Sequence, residues 1–179
     1  MAYIDVPEGL PGIRSLAKFR PETGKPLYEL AQVLLRGESP LKEAERELIA
    51  AYVSKKNDTM FCMRSHAAAS RALFGKPHES IVDMVLDDAD QAPISPKMKA
   101  LLHIAGKVQK LGKEVKPEDI EKAGAEGATD KEIHDTVLIA AAFCMYNRYV
   151  DGLSSYTPTD EKEYEQMGKR MAEKGYVQP

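Results

Sequence analysis

The sequence predicts an all-α fold, because helix patterns recur along it and strand patterns do not. In several segments apolar residues return every three or four positions, which is the spacing of one face of a helix. No segment alternates apolar and polar residues for long, and runs of β-branched residues are short. With 179 residues, 43% of them hydrophobic, the chain is long enough to bury a core, and we expect a single domain.

Two long helices are predicted by the same start signal, a serine followed by proline. Ser39 is a favourable N-cap with proline at the first helical position, and the helix after it is expected to reach about Lys55. Ser95 and the proline after it give the same signal ahead of a helix that would end near Gly112. In both segments the apolar residues fall on one stripe, so each helix should pack one face against the core.

The longest helix is predicted after Thr129, which forms a capping box with Glu132. From Ile133 through Val150 this helix is apolar nearly all round, so it should be covered by the domain or by a second copy of the chain. We therefore expect a homo-oligomer. Shorter helices are predicted at about residues 26–36, 59–73, 78–86, 117–123 and 159–173.

Composition and charge exclude several classes of function. The formal charge is −3 and no basic stripe is present, so no nucleic acid partner is expected. No apolar run approaches the roughly 18 residues of a membrane helix, and the first residues lack a signal-peptide pattern, so we expect a cytoplasmic protein outside the membrane. No glycine-rich loop follows a strand, so no nucleotide cofactor is implied. The cysteines Cys62 and Cys144 form neither a disulfide framework nor a zinc pattern. The histidines His78, His103 and His134 stand singly on separate segments, so no metal is expected.

The segment that contains Cys62 and His66 carries residue types suited to thiol chemistry. If Asn57 or Asp58 caps a helix here, Cys62 lies near its first turn, where the helix dipole and free N–H groups favour a thiolate. This placement would lower the pKa of the thiol from about 8.5 towards about 7 or below. His66 follows four residues later, about 5–6 Å away at Cβ, which is close enough for proton exchange. The alternative is that both residues are core residues that share a helix face by chance.

The stretch from Glu43 to Ala69, taken with the later stretch from Ile139 to Arg148, resembles the AhpD-like, carboxymuconolactone decarboxylase family, particularly its peroxidase-related branch. The pattern of that family is a glutamate on one helix and Cys-x-x-Cys-x-x-x-His at the start of the next. The resemblance implies an AhpD-like helical bundle over about residues 25–155. Residues 1–24 would then form an N-terminal arm, and residues 156–179 a C-terminal helix and tail.

The resemblance assigns a role to each residue that matches the family pattern. With the histidine as the anchor, His66 takes its place, Cys62 that of the attacking cysteine, and Glu47 that of the glutamate. Thr59 stands where the first, resolving cysteine should be. The implied proton relay consists of His66 and Glu47. Glu47 lies at the edge of an apolar stripe, where partial burial would raise its pKa; without the resemblance it would be interpreted as a solvated surface carboxylate.

The function that the resemblance implies is a thiol-dependent peroxidase, a peroxiredoxin-type antioxidant enzyme that reduces hydroperoxides at Cys62 without a metal or organic cofactor. Because Thr59 cannot close a local disulfide, the oxidised thiol would need an external thiol reductant or a disulfide with Cys144. For Cys144 a role as a small core residue is preferred. Two alternatives stay open: a carboxymuconolactone decarboxylase-type enzyme that uses His66 for proton transfer, and a degenerate member with a structural or thiol-sensing role.

Overall fold

The computed structural model describes residues 2–176, and all regular elements within that range are helical. The α-helices are α1 (Ile13–Phe19), α2 (Pro21–Arg36), α3 (Glu43–Lys56), α4 (Met60–Phe74), α5 (Ser80–Asp87), α6 (Pro96–Lys110), α7 (Pro117–Ala125), α8 (Asp130–Gly152) and α9 (Glu161–Lys174). A short 3₁₀ turn at Gly112–Glu114 follows α6. The prediction of an all-α fold is confirmed, and helices α2 to α9 correspond in order to the predicted ones.

Two of the predicted helix starts are formed by the side chains that the sequence indicates. The Ser95 hydroxyl caps α6 by accepting a hydrogen bond from the N–H of Met98 at 3.1 Å. At the start of α8, the N–H of Thr129 donates to Oε2 of Glu132 at 2.7 Å, and the Thr129 hydroxyl accepts from the N–H of Glu132 at 3.2 Å. Both signals are local, and neighbouring helices do not override them.

The predicted start of α3 at Ser39 is wrong. The helix begins at Glu43, with Lys42 as its N-cap residue. The Ser39 hydroxyl donates instead to Oδ2 of Asp135 on α8, at 2.6 Å. The same hydroxyl accepts a hydrogen bond from the N–H of Leu41 at 3.2 Å, so it closes a turn ahead of α3, which begins a few residues later.

The first part of the chain packs onto the bundle. The domain boundaries at residues 24 and 155 stay a prediction, but residues 13–19 of the predicted arm form α1, and its Leu16 is fully buried. At Gly12, where φ is 55°, a Cβ atom would lie 1.9 Å from the ring of Phe61. The close fit of that ring requires glycine, and it fixes the entry to α1 against α4.

The centre of the bundle is α3, which packs against α4, α6 and α8. Its apolar residues Leu48, Ile49 and Val53 are fully buried. The neighbouring helices contribute further buried apolar side chains, among them Leu101 and Phe143. Any polar side chain on the inward faces of α3 is therefore removed from water and requires partners from the surrounding helices.

Helices α4 and α9 approach each other closely. A Cβ atom at Gly168 on α9 would lie 2.5 Å from the carbonyl carbon of Ala68 on α4. The absence of a side chain at residue 168 lets the two backbones meet. The end of α9 is thereby held near α4, and the residue that follows its C-cap, Tyr176, is buried. Of the predicted tail, residues 177–179 lie outside the described residues.

Helix α8 is only partly covered by the rest of the chain. Ile139 and Phe143 are buried in the core, but the side chains of Leu138 and Met145 are 39% and 44% exposed. The homo-oligomer inferred from this helix stays a prediction. Within residues 2–176 every helix is too short or too polar to span a bilayer.

Candidate active site

Glu47, on α3, is fully buried and has three charged or polar partners from other parts of the chain. Its Oε2 lies 2.6 Å from Nδ1 of His66 on α4. Its Oε1 accepts hydrogen bonds from Nη2 of Arg36, at the end of α2, and from the hydroxyl of Tyr176, after α9, both at 2.6 Å. The structure thus brings together Glu47 and His66, as the resemblance implies, and adds two further residues.

The carboxyl group of Glu47 is held in its ionised form. Burial alone raises the pKa of Glu47, but the interactions with His66, Arg36 and Tyr176 more than offset it, so the pKa is lowered from the usual 4.5. The expectation of a raised pKa for Glu47 is wrong, because it considered burial without the interactions with His66, Arg36 and Tyr176. Glu47 is therefore an ionised hydrogen-bond acceptor that orients its partners, and it does not hold a proton itself.

The contact to Glu47 fixes which nitrogen of His66 carries a proton. Nδ1 lies 2.6 Å from a carboxylate oxygen, and only an N–H can sit there without repulsion between two acceptors. When the ring is neutral, Nε2 is the nitrogen that can accept a proton. The ring packs edge-on against Phe143, with centroids 4.5 Å apart, and lies nearly parallel to the ring of Tyr176. These contacts hold the imidazole in one orientation.

Cys62 is the third residue of α4 and is buried. Burial raises the pKa of the Cys62 thiol to about 12, although the side-chain amide of Asn147 acts in the opposite direction. The predicted thiolate is therefore wrong, because loss of hydration outweighs the helix dipole at this position. The described hydrogen bonds of His66 go to Glu47 and Tyr176 and not to the thiol. Cys62 rests as a neutral thiol.

Cys62 and His66 both line one cavity of about 340 Å³. Its walls come from α1, α2, α4, α8 and α9 and from the segment after α9, and they are largely apolar. The apolar and aromatic lining includes Leu27, Ala31, Phe61, Phe143, Tyr146 and Met171. Cavities of this size and character are typical sites for small molecules with an apolar body. The thiol and the imidazole thus face the same space, while Glu47 lies behind the imidazole.

Comparisons of the structure with solved structures find similar helical proteins. One is an uncharacterized peroxidase-related protein with an alkylhydroperoxidase AhpD core from Ralstonia eutropha, with 28% identity and a TM-score of 0.78 over 89% of this chain and 82% of that one. A second, from Silicibacter sp., is also an uncharacterized peroxidase-related protein, with 28% identity and a TM-score of 0.77 over 87% and 78%. The fold of this chain is that of the AhpD-like proteins.

A third similar structure shows the fold alone. It is a protein of unknown function from Agrobacterium tumefaciens, related in its description to the antioxidant defence protein AhpD, with 22% identity and a TM-score of 0.70 over 83% of this chain and 99% of that one. No family model matches the sequence. No curated protein matches it either.

In this AhpD-like chain Thr59, at the position of the missing first cysteine, has a structural partner. It is the N-cap residue of α4, and its side chain makes no capping hydrogen bond. Its hydroxyl donates instead to Oδ2 of Asp151 on α8. Neither Asn57 nor Asp58 caps the helix, contrary to the prediction. Thr59 therefore ties α4 to α8 beside the thiol, where a cysteine would offer a second sulfur.

Cys144 lies outside the lining of the cavity that contains Cys62. It is half-buried and free, and its sulfur accepts a hydrogen bond from Nδ2 of Asn57 at 3.6 Å. The same Asn57 amide donates to Oδ1 of Asn147 at 2.8 Å, and Asn147 in turn donates to Ser54 at 3.1 Å. The polar residues near Cys144 thus form a network that joins α8 to the end of α3.

The site contains two residues that the sequence interpretation missed, Arg36 and Tyr176. Both belong to segments that look unremarkable in the sequence: Arg36 stands in the last turn of an amphipathic helix, and Tyr176 in the predicted tail. No local pattern identifies either one as a partner of Glu47. Within residues 2–176 no group of three or more metal-binding side chains of the His, Cys, Asp or Glu types occurs.

Proposed function

We propose that the protein is a thiol-dependent peroxidase in which Cys62 reduces a hydroperoxide and His66 with Glu47 transfers the proton. The observation that carries this proposal is the position of Cys62 and His66 on the wall of one apolar cavity, with Nδ1 of His66 bound to Glu47 at 2.6 Å. Because Nδ1 contacts Glu47, Nε2 is the ring nitrogen of His66 that can accept a proton. The similarity to peroxidase-related AhpD-like proteins supports the same chemistry.

Proton removal from the thiol is part of the reaction, because the resting group is not a thiolate. The pKa of Cys62, raised by burial to about 12, leaves about one thiol in 10⁵ ionised at pH 7. His66 therefore accepts the thiol proton as sulfur attacks the peroxide. Glu47 stabilises the imidazolium that forms, as a buried carboxylate does for a general base.

The reaction consists of one oxidation and two thiol exchanges. Sγ of Cys62 attacks the distal oxygen of the peroxide, the O–O bond breaks, and His66 returns the proton to the leaving alkoxide. The products are an alcohol and a sulfenic acid on Cys62. One external thiol then displaces water to form a mixed disulfide, and a second releases Cys62 as the thiol together with the disulfide of the reductant. The Thr59 hydroxyl cannot take the place of the external thiol in either of these two steps.

A test on the Cys144→Ser background isolates the chemistry of Cys62. Treatment with one equivalent of an organic hydroperoxide in the presence of dimedone should label Cys62, as measured by peptide mass spectrometry. With excess dithiothreitol the same background should consume peroxide catalytically, and the added change Cys62→Ser should abolish that consumption. Continued turnover in the double variant would contradict the proposal.

The protonation state of Cys62 gives a second, independent measurement. On the same background, the rate of alkylation by iodoacetamide should rise about tenfold per pH unit from pH 7 to 9, since the thiol pKa is about 12. A rate that is already level above pH 7 would mean that a thiolate exists at rest, and the step in which His66 removes the proton would be wrong.

The second candidate is a proton-transfer enzyme of the carboxymuconolactone decarboxylase type. It is favoured by the contrast between an ordered Arg36, Glu47 and His66 arrangement and a thiol whose pKa is raised. In that case turnover of a lactone substrate should persist in Cys62→Ser and be lost in His66→Ala. Absence of both activities would favour the degenerate, non-catalytic alternative.

A further inference from the structure

We propose that Tyr176 is a positioning residue of this site: its hydroxyl bridges Glu47 and His66 and keeps the imidazole in the tautomer that presents Nε2 as the proton acceptor. Its contribution to turnover rests on the proposed peroxidase function. Its effect on the state of His66 does not, because that effect follows from the hydrogen bonds alone.

The Tyr176 hydroxyl contacts both members of the pair. It donates to Oε1 of Glu47 at 2.6 Å and lies 3.3 Å from Nδ1 of His66. Burial and the nearby carboxylate of Glu47 raise the pKa of Tyr176 well above its usual 10, so the hydroxyl keeps its proton. Its proton is directed to the carboxylate, and its oxygen therefore presents lone pairs towards Nδ1. Glu47 and Tyr176 both offer an acceptor at that nitrogen.

This arrangement favours one protonation pattern of a neutral imidazole. With the proton on Nδ1, the N–H points between a carboxylate oxygen and a hydroxyl oxygen, and both interactions are favourable. With the proton on Nε2, a lone pair on Nδ1 would face two acceptors, unless the tyrosine hydroxyl turned away from Glu47. The hydroxyl thus raises the free-energy difference between the tautomers beyond what Glu47 provides alone.

The Tyr176 ring is fixed from several directions. Its plane lies 14° from that of the His66 ring, with centroids 6.1 Å apart. The guanidinium carbon of Arg36 lies 5.3 Å from the centre of the Tyr176 ring. The ring therefore fills the space between the Arg36 side chain and the imidazole, and these contacts do not depend on the hydroxyl.

The backbone that carries Tyr176 is also anchored. Its N–H donates to Oε1 of Gln32 on α2 at 2.7 Å. The preceding Gly175 has a φ of 63°, and a Cβ atom there would lie 2.4 Å from the same oxygen. Nη2 of Arg36 donates to the carbonyl of Met171, at 2.9 Å. The segment after α9 is therefore seated on α2 in one defined conformation, which sets the tyrosine hydroxyl at hydrogen-bond distance from Glu47.

The test compares Tyr176→Phe with a matched control, Tyr164→Phe. Each change removes one buried hydroxyl and keeps the ring; the Tyr164 hydroxyl donates to the carbonyl of Pro158 at 2.8 Å. In the Tyr176 variant, ¹⁵N spectra of His66 at a pH where the ring is neutral should show a smaller fraction of the Nδ1–H tautomer, which stays the major form because Glu47 remains at that nitrogen. In the control, the His66 spectrum should equal that of the unchanged protein.

The kinetic readout separates positioning from loss of structure. In Tyr176→Phe, kcat for hydroperoxide reduction should fall about tenfold, the effect of one hydrogen bond to a charged group, while KM stays within about twofold. In the control neither should change. A His66 spectrum that is unaltered in Tyr176→Phe would overturn the proposal, whatever the activity. Absence of peroxide turnover in the unchanged protein would instead refute the proposed function, and the spectral comparison would still decide the role of Tyr176.

Discussion

Among residues 2–176 two glutamates are almost completely buried, Glu47 at 0% and Glu132 at 2% exposure, and their partners differ in kind. The carboxylate of Glu132 accepts from the N–H and hydroxyl of Thr129, three residues earlier, and from Nζ of Lys97 at 2.7 Å. The Lys97 side chain is one-third exposed. Glu132 thus completes the start of a helix and has one cation that still reaches solvent.

Glu47 has no such local role. Its partners Arg36, His66 and Tyr176 come from three other parts of the chain, and two of them, His66 and Tyr176, line the cavity. The Arg36 side chain is only 6% exposed, so the ion pair is enclosed. Burial of a carboxylate is therefore not by itself a sign of function. A carboxylate that orients a histidine at a cavity is a candidate for chemistry, and one that caps its own helix is a candidate for stability.

The largest expected effect separates the two glutamates by activity. Glu47→Gln should lower the rate of hydroperoxide reduction by about 10²-fold or more, because a neutral amide cannot stabilise the His66 imidazolium. Glu132→Gln should leave this rate within about twofold. Peroxide consumption coupled to a thiol reductant measures both. Equal losses in the two variants would remove the functional distinction between the buried carboxylates.

Removing the cation that accompanies each glutamate should separate them by stability. Arg36→Leu leaves the Glu47 charge enclosed without its ion pair and should lower the free energy of unfolding by about 3–5 kcal/mol. Lys97→Met should lower it by about 1 kcal/mol or less, since that pair is partly solvated. Urea denaturation followed by circular dichroism measures both values. A small effect of Arg36→Leu would indicate that the site can admit water or take up a proton.

The pH dependence of stability should change less, and in the same direction, when either glutamate is replaced. For each glutamate burial acts to raise the pKa, but the partners more than offset it, so both folded pKa values lie below the usual 4.5. Each therefore stabilises the fold above about pH 4.5, and that contribution is lost as the pH falls through the lowered folded value. Glu47→Gln and Glu132→Gln should each flatten the loss of stability between pH 5 and 3.

Added salt should distinguish the contributions of the two glutamates to stability. Half-molar sodium chloride should reduce the contribution of Glu132, whose cation Lys97 is partly solvated, by up to about 1 kcal/mol, and should leave that of Glu47 nearly unchanged. Urea titrations at each pH, with and without salt, provide the comparison. An equal salt effect on both would mean that Arg36 and Glu47 are more hydrated than their burial indicates.

The comparison also explains which features could be predicted from the sequence. The capping box of Glu132 lies within three residues, so its pattern is local and the structure reproduces it. The pairing of Glu47 with His66 spans 19 residues and could be expected only through the resemblance to a family. The interaction of Tyr176 with Glu47 spans 129 residues, and no periodicity or spacing could indicate it.

The protonation of the thiol was missed for a related reason. A helix start at Cys62 can be inferred from nearby residues, and the dipole of that helix favours a lower pKa. Burial depends on which other helices cover the residue, and the sequence pattern around Cys62 does not contain that information. The same holds for Glu47, whose pKa depends on burial and on its distant partners His66, Arg36 and Tyr176. Electrostatic predictions from local sequence therefore fail where the packing of distant segments decides the surroundings.

The long separation between Tyr176 and its partners also has a consequence for biosynthesis. Residue 176 follows His66 by 110 positions, and a ribosome adding about 5–20 residues per second needs roughly 5–20 seconds to cover that distance. During that interval the nascent chain carries the thiol, the imidazole and the carboxylate without the tyrosine hydroxyl. Assembly of the complete hydrogen-bond network therefore has to wait until α9 and the residues after it have emerged from the ribosome, long after the helices that hold its other members.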